Sequence, residues 1–278
     1  MKDELPIKYY QDLLTSKGRK EHSAFIVEGI RQVEQFVNSN KMKILEILCV
    51  PPVGADPCVC PKSAAFDGQT HGSAPTRTTK IPVRYINSNI LGKITDSKTP
   101  NGVIAVVEIP KSKTTNETQP HNINRPTGKV LMLENIQDPG NVGTLIRSAA
   151  AFGFSTVILS QGCADVYSPK VVRSTGGALC NLDIISAADI FDCIEKLKKQ
   201  KYKLVVADSD GESGFLPKRK DENVIFALGN EGNGVSDKLK SLADFVFTIP
   251  FDNSAIESLN VSTAGAVGMY LLRKKDLE

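Results

Sequence analysis

Through residues 127–278, short apolar runs alternate with stretches of helical periodicity, and that alternation leaves few folds open. Strands are expected at 129–134, 156–159, 204–207, 224–228 and 245–249. Between them, helices are expected at 142–152 (closed by Gly153), near 168–174, at 188–199 and near 236–241, with a long one from about 258 to 273. Apolar strands of four to six residues separated by helices predict a mainly parallel sheet covered on both faces. Ligands of such sheets bind in the loops beyond the carboxyl ends of the strands.

The first 110 residues read as a smaller α/β module. Ile7, Tyr10, Leu13 and Leu14 recur at helical spacing and end near Lys17-Gly18-Arg19-Lys20. A strand is expected at 24–27, a helix carrying Ile30, Val33, Phe36 and Val37, and further strands at 44–50, 82–86 and 103–109. Residues 51–80 hold five Pro and three Gly with little periodicity and read as an irregular surface insertion. Residues 111–126 are polar and proline-punctuated, which marks a linker. The expected organisation is therefore 1–110, a linker over 111–126, and 127–278.

Composition removes several classes. The 278 residues are 41% hydrophobic, too apolar for a disordered chain, and contain no apolar run long enough to span a bilayer. The first ten residues lack the apolar core of a signal peptide. Residues 1–126 carry 17 Lys and Arg against 12 Asp and Glu, a surplus of +5, whereas residues 127–278 carry 17 against 19. A basic half joined to a slightly acidic one suits a polyanion-contacting module beside a catalytic one, although a solvated surface gives the same balance. The six cysteines follow no disulfide-framework spacing and read as thiols of a reducing compartment, cytoplasm or an organelle matrix. Cys58, Cys60 and His71 lack a fourth metal ligand, and the sequon at Asn116 is uninformative without a secretory context.

Three loops carry the chemistry. The first runs from Asn135 through Asp138-Pro139-Gly140-Asn141 to Arg147; the turn leads into a helix for which Asn141 is a good N-cap. Val142, Leu145, Ile146, Ala149 and Phe152 form that helix's buried stripe, with Arg147 off it. The second, Leu228-Gly229-Asn230-Glu231-Gly232-Asn233-Gly234, packs three glycines into six residues but is neither a dinucleotide fingerprint nor a Walker loop. The third runs from Ile249-Pro250 to Ser258-Leu259-Asn260-Val261-Ser262, where Ser258 or Asn260 could cap the last helix, with Val261, Ala264, Val267 and Leu271 behind it. All three histidines (His22, His71, His121) lie outside 127–278, so no His-based triad, base or zinc site is expected there. No metal site is expected; the loops suit an organic ligand oriented by backbone and amide groups plus one Arg.

Together, in order and spacing, the three loops resemble the motifs of the SpoU (TrmH-like) family of RNA ribose 2′-O-methyltransferases, of the SPOUT class. Ser168-Pro169-Lys170, Arg173 and Gly176-Gly177 are similar to that family as well, and Arg19-Lys20, Phe25 and Val27-Glu28-Gly29 more loosely resemble its N-terminal RNA-substrate-binding domain. The resemblance implies a trefoil-knotted methyltransferase fold, S-adenosylmethionine (AdoMet) as cofactor, and a homodimer formed through residues 127–278. It places Asn141, Arg147, Glu231, Ser258 and Asn260 at the catalytic positions. Leu228, Gly229, Asn230, Gly232, Ile249, Pro250, Ser258 and Leu259 fall at the cofactor-binding ones. One departure stands out. The stretch between Pro250 and Ser258 is one residue longer than the family's, with Asp252-Asn253 where Gly is common, so the loop must bulge there.

The implied reaction is attack of a ribose 2′-hydroxyl on a sulfonium methyl, where positioning supplies much of the catalysis. The family casts Arg147 as base, but a guanidinium normally keeps its proton, so gripping phosphate and stabilising the developing alkoxide suits it better. Ribosomal RNA is the expected target ahead of transfer RNA, because the N-terminal module resembles that of rRNA-directed members. A catalytically inert RNA-binding relative is opposed by the intact motif residues. A nucleotide-dependent oxidoreductase or ligase is opposed by the missing fingerprints.

Overall fold

In the computed structural model, residues 5–51, 81–97, 99–100, 102–110, 128–213, 223–252 and 254–273 are described. The insertion over 52–80 and the linker, with Cys58, Cys60, His71, Asn116 and His121, lie outside the described residues. The chain divides into two units, the first made of residues 1–111 with 167–180, the second of 112–166 with 181–278.

The single helix expected at the start is two helices, α1 (Ile7–Asp12) and α2 (Ser16–His22). Thr15 breaks it: its hydroxyl donates to the Asp12 carbonyl at 2.9 Å and accepts from the Gly18 N–H at 3.1 Å, capping the second helix. Strand β1 (Ala24–Glu28) is buried throughout and leads through Gly29 into helix α3 (Ile30–Ser39). Next come β2 (Ile44–Cys49) and β3 (Val83–Tyr85), then a helix not expected from sequence, α4 (Ser88–Lys93), and β4 (Val103–Glu108). Asn87 starts that helix by accepting the Ile90 N–H at 2.8 Å. The sheet order is β1-β4-β2-β3, antiparallel except for the β2–β3 pair. Tyr10, Leu13, Ile26, Leu48, Ile94, Ile104 and Val106 are buried on one face of it.

The second unit is built on β5 (Lys129–Leu133), α5 (Pro139–Ala151) and β6 (Phe154–Leu159). The chain then leaves for α6 (Pro169–Ser174), in the first unit, and a 3-10 turn (Ala178–Asn181) that ends at the return to the second, before continuing as β7 (Asp183–Ser186) and α7 (Ile190–Lys199). The remainder is β8 (Lys203–Ser213), β9 (Val224–Leu228), α8 (Asp237–Ser241), β10 (Phe245–Thr248) and α9 (Val261–Leu272). All six strands are parallel, in the order β10-β8-β9-β5-β6-β7. The expected parallel sheet is thus present. Strand β7 escapes the sequence reading because Asp-Ile-Ile-Ser holds only two apolar residues between polar ends, and β8 is longer than the stretch 204–207.

Strands β5 and β9 are adjacent and buried over their full length, which explains why they are apolar apart from Lys129 at the start of β5. They meet where the strand order reverses, so the loops leaving them open into the crevice where doubly wound sheets take ligands. Helix α9 departs from the sequence reading. It starts at Val261, after the Asn260 cap, rather than at Ser258, and its buried residues are Gly265, Gly268, Met269 and Leu272. Val267 and Leu271, expected inside, are exposed together with Tyr270. The two glycines explain this: Cβ atoms there would stand 2.3 Å from Leu145 Cδ2 and from Phe226 Cζ. The small face is the one that closes on the sheet and on α5, leaving the larger apolar side chains outward.

Candidate active site

At the carboxyl end of β5 the chain turns sharply at Asn135, whose φ of 56° is in the left-handed region that Asn tolerates better than most residues. That turn presents the Asn135 carbonyl to the Asn230 side-chain amide at 2.9 Å, tying the first loop to the second. The helix cap differs from the one expected. Asp138, not Asn141, is the N-cap of α5; its carboxylate accepts the Asn141 N–H at 2.9 Å, and Pro139 occupies the first turn. The consequence is that the Asn141 side chain is released from capping and reaches across the site.

Asn141 Nδ2 donates to Glu231 Oε1 at 2.9 Å, and Asn141 Oδ1 accepts from Asn260 Nδ2 at 3.2 Å. One carboxamide therefore joins all three loops. Asn260 is the N-cap of α9: its Oδ1 accepts the Ser262 N–H and hydroxyl at 2.9 and 2.6 Å. That fixes which end of the carboxamide points at Asn141. Asn230 Oδ1 accepts the Gly232 and Asn233 N–H groups at 2.9 and 3.2 Å, so the second loop is folded on its own side chain.

Leu228 ends β9, and Gly229 then lies backbone to backbone against the far side of its loop. A Cβ on Gly229 would stand 2.2 Å from the Gly234 carbonyl oxygen. Gly234 itself has a φ of 65°, a conformation side chains resist. The second loop thus presents main chain rather than side chains at the strand end.

Ile249 and Pro250 follow β10, and Ser258 and Leu259 precede the Asn260 cap; Ser258 is exposed. In the stretch after Pro250, the Asp252 carboxylate accepts the Ser254 hydroxyl at 2.6 Å and its N–H at 2.9 Å. Those bonds hold the Asp252 carboxyl below the usual carboxylate range. Arg147 lies on the exposed side of α5, six residues past Asn141, which is about 9 Å of helix rise. The structure gives Arg147 no hydrogen bond or ion pair among the described residues. It brings Asn141, Glu231, Asn260 and Asn230 together by direct bonds, and leaves Arg147 and Ser258 exposed to receive something else.

Two residues in this arrangement escaped the sequence reading. Glu134 directly follows β5, and its carboxylate accepts both the N–H and the hydroxyl of Ser236 at 2.8 and 2.7 Å. Asp208, at the middle of β8 with its side chain buried, pairs with Lys240 at 2.9 Å. A charged residue directly after the apolar run 130–133 was the available signal for Glu134; nothing in the sequence marked Asp208. Among the described residues no three His, Cys, Asp or Glu stand together as metal ligands, and no helix is long and apolar enough to cross a membrane.

A six-stranded parallel sheet whose three bonded loops leave the carboxyl ends of β5, β9 and β10 defines an α/β protein of the doubly covered class. The chain belongs to the SpoU rRNA methylase family, whose model matches residues 128–270. An MRM3-like substrate binding domain matches residues 5–105. The chain is 27% identical to the 23S rRNA (guanosine(2553)-2′-O)-methyltransferase RlmP of Bacillus subtilis, across 96% of this chain and 95% of that one. A TrmH-family protein from Porphyromonas gingivalis has the same architecture, with a TM-score of 0.75, 28% identity, and 98% of this chain and 99% of that one covered. The fold is shared too with the SpoU methyltransferase AviRb of Streptomyces viridochromogenes, a structure in complex with AdoMet, at a TM-score of 0.76 and 23% identity over 96% of each chain.

Proposed function

We propose that this chain transfers the methyl group of S-adenosylmethionine to a ribose 2′-hydroxyl of RNA, with ribosomal RNA as the substrate class. The observation that carries this reading is the Asn141 carboxamide bonded to both Glu231 and Asn260. It joins the three motif loops, which leave the carboxyl ends of β5, β9 and β10. The 23S rRNA named for the B. subtilis relative supports rRNA ahead of tRNA.

The residues present fit the cofactor. Gly229 leaves no room for a side chain, so the second loop offers backbone to a flat, polar ligand. Leu228, Gly229, Asn230 and Gly232 on that side, with Ile249, Pro250, Ser258 and Leu259 on the other, would hold AdoMet. When bound, it supplies an electrophilic methyl on a cationic sulfur. Arg147, exposed on α5, grips an RNA phosphate and stabilises the oxyanion developing on the attacking ribose. A guanidinium keeps its proton at physiological pH, so the hydroxyl proton leaves late or passes to the phosphate. Asn141 and Asn260 orient the ribose and the loop backbones, Glu231 fixes the second loop through Asn141, and Ser258 completes the rim.

Residues 1–110, with their surplus of positive charge, act as the RNA-binding unit, and 127–278 as the methyltransferase unit, knotted as in the family. The exposed Val267, Tyr270 and Leu271 on α9 support homodimerisation through the second unit. The described cysteines are free, which fits a reducing compartment. Mapping 2′-O-methylated riboses in total RNA from cells with and without the protein tests the function. One rRNA ribose losing its methyl supports it, and an unchanged map refutes it. Light scattering of the full chain, with Tyr270→Glu as the disrupting variant, tests the dimer.

A further inference from the structure

Glu134 lies outside the motif residues assigned above, yet it touches both ends of the second loop. Its main-chain N–H donates to the Leu228 carbonyl at 2.9 Å, where the loop begins. Its carboxylate takes the Ser236 N–H at 2.8 Å and the Ser236 hydroxyl at 2.7 Å, where the loop ends. The seven residues between, 229–235, carry Glu231 and the glycines. The same Ser236 hydroxyl accepts the Leu239 N–H at 3.2 Å and so starts α8. Glu134 is only 6% exposed. A buried carboxylate is costly unless its hydrogen bonds are fully directed, and both here converge on one residue.

The geometry points to Glu134 as a positioning residue that clamps the mouth of the glycine loop, holding it in its AdoMet-binding shape before the cofactor arrives. This rests on the reading of the second loop as a cofactor site. The clamp acts at two points of fixed separation, one set by the backbone of Glu134 and one by its side chain. A change in the side chain alone therefore frees one end of the loop and leaves the sheet pairing of β5 and β9 intact. Glutamine in place of Glu134 can still take the Ser236 N–H on its amide oxygen, but its NH2 can only donate to the Ser236 hydroxyl, so both bonds lose their charge assistance and the second competes with the Leu239 N–H that the hydroxyl already accepts.

The test is calorimetric titration of AdoMet into the full chain and into Glu134→Gln, Ser236→Ala and the double variant. Glu134→Gln is expected to weaken AdoMet binding about 10-fold and Ser236→Ala about 3-fold, in keeping with the loss of charge-assisted bonds. The double variant is expected to be no weaker than Glu134→Gln within about twofold, since both act through one contact. At saturating AdoMet, turnover should stay within about threefold of the unaltered chain, so that KM for AdoMet moves and kcat does not. AdoMet affinity in both Ser236→Ala and Glu134→Gln equal to that of the unaltered chain would overturn the clamp. If Glu134→Gln does not fold, Ser236→Ala alone decides, because it removes one hydroxyl and no charge. Failure of the unaltered chain to bind AdoMet would refute the function proposed above rather than the clamp.

Discussion

Asn141 and Glu231, 90 positions apart in the chain, are joined by a 2.9 Å hydrogen bond from the carboxamide nitrogen to a carboxylate oxygen. The polarity of that bond is set from the other side, because Asn260 donates to the Asn141 oxygen. Aspartate at 141 would put a carboxylate against Glu231, where like charges repel by about 1–4 kcal/mol depending on solvation. Asn141→Asp is expected to reduce kcat/KM more than Asn141→Ala does, by about a further tenfold. Steady-state methylation of an RNA fragment compares the two; equal losses would show that the bond does not organise the site.

Arg147→Lys keeps the positive charge and loses the planar fork. Turnover is expected to fall about 100-fold while RNA affinity changes little, because the interaction lost belongs to the transition state. Single-turnover rates at saturating RNA measure this. Near-normal turnover with weakened RNA binding would remove Arg147 from the chemistry.

Gly268 faces the Phe226 ring, which would meet an added Cβ at 2.3 Å. Gly268→Ala should push α9 off β9 and destabilise the fold by about 1–3 kcal/mol. Urea denaturation monitored by circular dichroism reads the loss as a lower midpoint at unchanged slope.

Burial raises the Cys193 thiol from 9.0 to about 11, with Asp192 adding to the effect. The folded pKa is above the unfolded one, so this group's contribution is full below pH 9 and is lost as pH rises from 9 towards 11. Thermal melts between pH 7 and 11 should show a declining alkaline limb that flattens in Cys193→Val.

Arg173 bonds Asp96 and lies 3.8 Å from Glu28, whose side chain is 7% exposed. Asp96 and Glu28 hold its guanidinium above the usual value against the opposing effect of burial. Arg173→Ala would leave the Glu28 charge buried without its cation, at a cost of about 1–3 kcal/mol after discounting for the partly exposed arginine. Adding Glu28→Gln should restore part of the loss, measured as the coupling in a denaturation cycle.

Much of this was legible in the sequence. Buried strands such as β5 and β9 announce themselves as continuous apolar runs, and the three loop motifs carry enough residues in order to name a family. What the sequence hid depends on partners distant along the chain. Asp138 rather than Asn141 caps α5 because Asn141 has a better use at Glu231, a preference that only the folded loop reveals. The apolar side of α9 looks like a core face in one dimension. It is turned outward because Gly265 and Gly268 fit closer to Leu145 and Phe226 than Val267 or Leu271 could. Glu134 looked like the end of a strand, and its role exists only through Ser236.

The excursion of residues 167–180 into the first unit bears on how such proteins can be recombined. Grafting a foreign N-terminal module at the linker would import a surface shaped for someone else's helix, leaving Arg173 without the Glu28 and Asp96 it pairs with. A working chimera must carry the two pieces, 1–111 and 167–180, as one inheritance.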